Sequence, residues 1–102
     1  MISTTFSIDG ISIRLTGERW SHIVEEHCEL AGMQYDVMQT VATPDTIYEG
    51  NAGEYLAVKK INGDKSLVVV YKENPEANDG FVITAFVTSK TQRFSRRKIL
   101  WP

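Results

Sequence analysis

The stretch SLVVVYKENPEANDGFVITAFVT, residues 66–88, decides the fold of this chain. Residues 66–71 are apolar at nearly every position, which is typical of a central strand buried on both faces. Residues 80–88 form a second, longer strand pattern, and the polar residues 74–80 between the two favour a turn. Because the connection is short, the two strands are predicted to pair antiparallel at the centre of a sheet.

Two further strand patterns precede this pair. DTIYEG, residues 45–50, is short, and EYLAVKKI, residues 54–61, alternates between apolar and polar side chains. No long helical pattern separates any of these segments, so the four strands are predicted to pair in chain order as an antiparallel meander.

The N-terminal segment TFSIDGISIRL, residues 5–15, carries the hairpin signal Asp9-Gly10 between two alternating runs. A two-residue type I′ turn at this point pairs Ile8 with Ile11 and places Phe6 opposite Ile13. The sequence therefore predicts a hairpin with all its apolar side chains on one face.

Two helices are predicted between the hairpin and the sheet. Apolar residues recur at helical spacing from Trp20 to Ala31, with Thr16 as the N-cap and Gly32 as the stop. A shorter helix over residues 33–41 ends near Thr43, because the following proline disfavours helix there. The predicted fold class is α+β: an N-terminal β-hairpin, two helices, then a four-stranded antiparallel sheet with the helices on one face.

Length and composition set the broad class. The chain has 102 residues, of which 42% are hydrophobic, so one domain spanning residues 1–102 is expected. Cys28 is the only cysteine, which excludes an internal disulfide. The sequence has no apolar run long enough to span a membrane and no signal-peptide pattern, and a cytoplasmic protein is expected.

Charge is distributed unevenly along the chain. Residues 1–58 hold two cations against nine anions, whereas residues 59–102 hold nine cations against four anions. This asymmetry favours a surface that meets a polyanion, although attraction between oppositely charged elements of one domain explains it equally well.

The last long strand has one face that could meet a nucleic acid. Strict alternation over GFVITAFVT places Val82, Thr84, Phe86 and Thr88 on one side and turns Phe81, Ile83, Ala85 and Val87 towards the helices. Hydroxyls beside an aromatic ring offer phosphate donors and a stacking surface. Threonine is also an ordinary strand former, and the ring also suits a second small core. Pairing register decides whether Lys59 or Lys60 shares this face.

Both histidines lie in the first predicted helix. His27 falls on its apolar stripe, where a buried core histidine is the competing interpretation, and His22 lies among glutamates, where a solvated pair with Glu26 is the simpler one. Their five-residue separation puts them about 140° apart around the axis, so helix geometry alone does not join them. His22 and Glu26 supply too few ligands for zinc, so neither a metal site nor a cofactor is expected.

The succession RWSHIVEEHCEL, VATPDTIYEG, EYLAVKKI, SLVVVY and VITAFVTSK, followed by a basic tail ending in KILW, resembles small phage and bacterial proteins of the barnase, EndoU, colicin and RelE-like nuclease fold. The likeness runs from about Arg19 to Trp101. Where those proteins tend to have an Arg-His-Pro-Glu segment, this chain has Glu26-His27-Cys28-Glu29, which lacks a cation and a proline.

The resemblance implies a toxin-like or phage-derived endoribonuclease that cleaves RNA without metal, through attack of a 2′-hydroxyl on its phosphate. It also implies a possible antitoxin or immunity-type partner. The predicted catalytic residues are His27, His22, Thr88, Thr84, Ser89 and Lys59, of which Lys59 comes from the strand pattern alone. The predicted nucleic-acid-binding residues are Lys60, Lys90, Arg93, Arg96, Arg97, Lys98 and Phe86. The alternative is a non-catalytic module on the same fold that binds nucleic acid or protein. Oligomeric state is left open.

Overall fold

A computed structural model describes residues 2–102. Two α-helices and seven strands follow one another as β1 (Ile2–Phe6), β2 (Ser12–Thr16), α1 (Gly17–Glu26), α2 (Gln34–Ala42), β3 (Thr46–Glu49), β4 (Tyr55–Asn62), β5 (Lys65–Asn74), β6 (Asp79–Thr88) and β7 (Ile99–Trp101). Short 3₁₀ turns lie at Cys28–Leu30, Pro75–Ala77 and Thr91–Phe94.

The strands form one mixed sheet in the order β1-β2-β6-β5-β4-β3-β7. The α+β class is confirmed, and the meander from β3 to β6 pairs antiparallel in chain order as predicted. The prediction of a four-stranded antiparallel sheet is wrong, because both edges of the meander accept further strands. The hairpin joins through a parallel β2–β6 pair, and the C-terminal β7 pairs with β3.

Gly80 explains how the hairpin can join the sheet. It lies opposite Ile13 in the parallel β2–β6 register, and a Cβ atom here would collide with the Lys72 carbonyl oxygen and with Cδ1 of Ile13. Only glycine leaves room for this close approach of backbone and side chain. The parallel pair has no local sequence signature, since its partners are more than sixty residues apart.

The hairpin has a different register from the predicted one. Phe6 lies opposite Ser12 and Thr5 opposite Ile13, so the turn is a five-residue loop over residues 7–11 rather than Asp9-Gly10 alone. This one-residue shift turns Phe6 to the other face, where it is 62% exposed. Ile8 and Ile11 still pack on the main core from within the loop, which compensates for the loss of Phe6.

Helix α1 begins as predicted and ends early. The Thr16 hydroxyl accepts a hydrogen bond from the Arg19 amide at 3.1 Å, which confirms the N-cap. The helix ends at Glu26 instead of continuing towards Gly32, because the chain turns at His27 into a 3₁₀ turn that buries Leu30. Helix α2 ends at Ala42, next to Thr43, which confirms the prediction that it ends near that residue. Among residues 2–102, no helix has both the length and the apolar character needed to cross a bilayer.

Each face of the sheet has its own hydrophobic cluster. The larger cluster contains the buried helix residues, such as Ile23 and Val41, together with Leu67 and Val69 from β5, which confirms that both helices lie on one face. The smaller cluster, on the opposite face, consists of Leu56, Val58, Val68, Val70 and Phe94. We call this second side the open face, since no α-helix covers it.

Candidate functional site

The side chains of β6 do not alternate strictly. The register with β5 shifts at Val70/Tyr71, so that Thr84 pairs with Val70 and Val82 with Tyr71, leaving Ile83 as an extra residue. This β-bulge reverses the faces before it: Val82 packs on the helix side and Ile83 on the open face, opposite to the prediction. After the bulge the prediction is confirmed, since Ala85 and Val87 pack towards the helices and Phe86 lies on the open face.

Pairing register separates the two lysines of β4. Lys60 pairs with Ser66, which pairs with Thr88, so these three residues form one row across the open face. Lys59 pairs with Leu67 on the helix side, and its ammonium donates to the Thr43 carbonyl at 2.6 Å. Lys59, predicted to be catalytic, therefore lies on the opposite side of the sheet from Thr88.

His27 reaches the open face around the edge of β6. Strand β2 pairs with β6 only as far as Phe81, and the 3₁₀ turn after α1 also contacts β6. The backbone of His27 leaves the helical region, with φ −132° and ψ 71°. Its ring consequently lies 6.1 Å from the Phe86 ring, between centroids, at an interplanar angle of 37°. The side chain is 33% exposed, so it is neither a buried core histidine nor a fully solvated one.

The basic tail folds onto the open face beside this histidine. Phe94 anchors the tail, since it is buried and its ring stacks on Tyr48 at 5.5 Å. Next to this anchor, the Arg93 guanidinium carbon lies 5.4 Å from the centroid of the Phe86 ring and 5.5 Å from that of Phe94. These are cation–π distances, and they hold one positive charge over the predicted stacking ring.

Five side chains, of which Arg93 is exposed and the other four are half-buried, therefore share one surface, which we call the β6 patch: His27, Thr84, Phe86, Thr88 and Arg93. The two threonines lie two residues on either side of Phe86, each about 7 Å along the strand. The Thr88 hydroxyl already accepts a hydrogen bond from the Lys90 amide at 3.1 Å, so its proton is free to be donated. An imidazole, an aromatic ring, two hydroxyls and a guanidinium can together bind a base and a phosphate.

Other predicted residues lie outside the β6 patch. His22 is exposed on α1, five residues before His27. Arg97 donates to the Glu49 carbonyl at 3.1 Å and to Asn51 Oδ1 at 2.9 Å, which ties the tail to the end of β3. Three further predicted residues follow Thr88 along the chain and are exposed: Ser89, Lys90 and Arg96. Lys98 is exposed next to the β3–β7 pair, and its carbonyl accepts from the Glu49 amide at 2.9 Å.

Two residues of this region were not predicted. Ser66 is buried in the row between Lys60 and Thr88, and only the strand register identifies it. Glu29 lies with Oε2 3.8 Å from Nδ1 of His27, a contact that depends on the early end of α1. Among residues 2–102, no three His, Cys, Asp or Glu side chains gather in a way that could hold a metal ion.

A second polar cluster lies at the far end of the sheet, on the helix side. Ser7 donates to Glu73, and the Tyr55 and Tyr71 rings stack at 5.3 Å. Burial, together with the nearby Asp9, raises the pKa of Glu73. Burial and the carboxylate of Glu73 raise the pKa of both tyrosines. The tyrosines therefore stay protonated at neutral pH, and this cluster shares no residue with the β6 patch.

Comparisons with known proteins give no further identification. A scan against protein-family models, a search of curated proteins and a search of solved structures each found no match. The function is therefore inferred from the residues and their geometry.

Proposed function

We propose that this protein binds single-stranded RNA on the β6 patch and cleaves it without metal, in the cytoplasm. One observation carries the proposal: the imidazole of His27 and the guanidinium of Arg93 both lie beside the half-buried Phe86 ring, with the imidazole centroid 6.1 Å and the guanidinium carbon 5.4 Å from the ring centroid. A proton-transfer group, a cation and a stacking surface are thus available to one nucleotide.

The proposed reaction is an internal transesterification. The ribose 2′-oxygen attacks the adjacent phosphorus, the bond to the 5′-oxygen of the next nucleotide breaks, and a 2′,3′-cyclic phosphate and a free 5′-hydroxyl result. The 2′-hydroxyl proton passes to a base and an acid supplies a proton to the leaving oxygen, so no oxidant or other co-reactant is needed. His27 is the acid–base group, and Arg93 stabilises the charge that develops on the phosphate.

The neighbouring residues have supporting roles in this proposal. The Glu29 carboxylate lies beside Nδ1 of His27, with Oε2 at 3.8 Å, and Nε2 is the nitrogen that transfers the proton in this proposal. Phe86 stacks on a base, and Thr88 donates its hydroxyl to a phosphate oxygen. Lys60 and Lys90 add positive charge at the margin of the patch. An antitoxin or immunity-type protein would inhibit the enzyme by covering this same surface with acidic side chains.

A second function is favoured by one observation on the histidines. Only His27 belongs to the β6 patch, whereas His22 is exposed elsewhere on α1, so a second imidazole is not available for the opposite proton transfer. A module that binds RNA through Phe86 and Arg93 without cleaving it needs no such pair. The two functions differ only in turnover and are separable by experiment.

The test is incubation of the purified protein with a labelled single-stranded RNA in EDTA, followed by analysis of the product ends. The wild type is expected to give cyclic-phosphate and 5′-hydroxyl ends. His27→Ala is expected to lower the cleavage rate at least 100-fold, the lower range for loss of a general acid or base. His22→Ala is the matched control, because it removes the other histidine of the same helix from outside the patch.

The outcomes distinguish the functions. Intact RNA with all proteins, combined with binding that Arg93→Gln weakens and Arg96→Gln does not, excludes cleavage and supports the binding module. Equal cleavage by the wild type and His27→Ala contradicts the catalytic role of His27. Absence of both cleavage and binding contradicts both functions.

A further inference from the structure

The strand β1 forms one edge of the sheet, and its outward-facing backbone groups can be identified. The Ser7 amide donates to the Ile11 carbonyl, which makes residues 7 and 11 a hydrogen-bonded pair of the hairpin. Hydrogen-bonded and non-hydrogen-bonded pairs alternate along an antiparallel ladder. Ile2, Thr4 and Phe6 are therefore the residues whose amide and carbonyl groups point away from β2, towards the free edge.

The two edges of the sheet differ in their protection against further pairing. The β7 edge has three residues and is flanked by Lys98 and Pro102, both of which disfavour strand addition. The β1 edge has five residues, ISTTF, with neither charge nor proline. Ile2 and Phe6 are each 62% exposed. Such an edge is a template for another strand.

The β1 sequence is complementary to itself. When a second β1 pairs antiparallel with Thr4 opposite its own copy, Ile2 of each chain lies opposite Phe6 of the other. The three residues with outward-facing backbone groups then face one another, which allows six inter-chain hydrogen bonds in this register. The side chains of Ile2 and Phe6 point to the same face, so both exposed apolar pairs become covered.

Charge also favours a second copy as the occupant. In a two-fold symmetric dimer, each residue close to the axis lies near the same residue of the other chain. A charged residue at this position would therefore face a like charge. The groove of about 530 Å³ between β1 and α2 is lined only by uncharged residues: Ser3, Thr4, Thr5, Gln34, Tyr35, Met38 and Gln39. In a chain of 11 cations and 13 anions, this neutral edge suits pairing with itself.

From these observations we propose that the protein forms a two-fold symmetric dimer through antiparallel pairing of β1 with β1 of a second copy, centred on Thr4. The two sheets become one continuous fourteen-stranded sheet. Since the axis is perpendicular to the sheet, both β6 patches open on the same side, where one RNA strand can contact both. The dimer itself does not depend on the proposed function.

The test measures molecular mass by sedimentation velocity over a range of concentrations. The wild type is expected to reach twice the 11.5 kDa of one chain. Thr4→Lys and Thr4→Glu each place two like charges at the axis and are expected to weaken self-association at least tenfold. Thr4→Val is the matched control, because it keeps a β-branched, uncharged side chain and is expected to dimerise.

A mixture of the two charged variants provides the decisive experiment. Equimolar Thr4→Lys and Thr4→Glu place opposite charges across the axis, so a mixed dimer is expected although neither variant dimerises alone. Circular dichroism of each variant establishes that it is folded. A wild type that stays monomeric at every concentration, a Thr4→Lys variant that still dimerises, or a mixture that stays monomeric would each overturn the proposal.

Discussion

Glu73 lies at the end of β5, where the Ser7 hydroxyl, the Tyr55 hydroxyl and the Asp9 carboxylate meet it. Burial raises the pKa of this carboxyl above its ordinary value of 4.5. Between 4.5 and the raised value, the folded state binds more protons than the unfolded state. The stabilisation from this group is therefore fully present below pH 4.5 and is lost as the pH rises through the folded pKa.

Substitution Glu73→Gln tests this linkage. The amide keeps an acceptor for Ser7 and cannot ionise, so the variant should lose the fall in stability that the wild type shows above pH 4.5. Melting temperatures measured from pH 4 to pH 7 should show the variant gaining on the wild type as the pH rises. Glu76→Gln, in the exposed turn after β5, controls for the loss of one negative charge. An unchanged pH profile in Glu73→Gln would contradict the linkage.

The pKa of Asp79 is shifted in the opposite direction from that of Glu73. The hydrogen bonds from Arg14 hold its pKa below the ordinary value of 3.8, so any stability it adds is lost only as the pH falls below that value. The two carboxyls therefore act in separate pH windows, and the Glu73 experiment above pH 4 does not include the titration of Asp79.

At the scale of elements, Gly80 decides whether the hairpin can join the sheet. Gly80→Ala places a Cβ against the Lys72 carbonyl and Ile13, both fixed by strand pairing, and should lower the free energy of unfolding by about 1–3 kcal/mol. Urea denaturation measures this loss. Gly50→Ala is the matched control, since its Cβ meets only the side chain of Glu54, which can move aside. Equal stability of Gly80→Ala and the wild type would contradict this packing.

Local patterns predicted the elements better than their arrangement. The Thr16 cap, the end of α2 and the β3–β6 meander each depend on residues close in sequence, and each was predicted. The parallel β2–β6 pair depends on Ile13 meeting Gly80, a contact between distant residues with no local pattern. The three-residue β7 has too few residues to show alternation and was missed for that reason.

The β6 patch was predicted only in part, because some of its geometry also depends on contacts between residues that are distant in sequence. Thr88 and Phe86 follow from alternation after the bulge, which a strand pattern can show. The position of His27 depends on the early end of α1, and the separation of Lys59 from Lys60 depends on register. Both are properties of tertiary pairing. The spacing of apolar residues within a single helix or strand therefore cannot predict the position of His27 or the separation of the two lysines.

At the scale of the whole molecule, the charge asymmetry has a structural basis. The tail after β6 crosses the open face from β6 to β3, with Phe94 fixed against Tyr48 on the way and Arg97 bonded beyond it. This path spans three strand spacings, about 14 Å. Arg93 and Arg97 are thereby held along this path, while the acidic helix α1 lies on the other face and is followed directly by His27.

The central claim is that RNA meets the protein on the β6 patch, and an NMR titration tests it most directly. Amide shifts of the labelled protein are recorded while a short single-stranded RNA is added at low salt. The account predicts that the largest shifts lie at His27, Phe86, Thr88 and Arg93, with His22 and its neighbours on α1 unchanged. Shifts that cluster on another part of the surface, or the absence of shifts at the highest RNA concentration, would contradict this prediction.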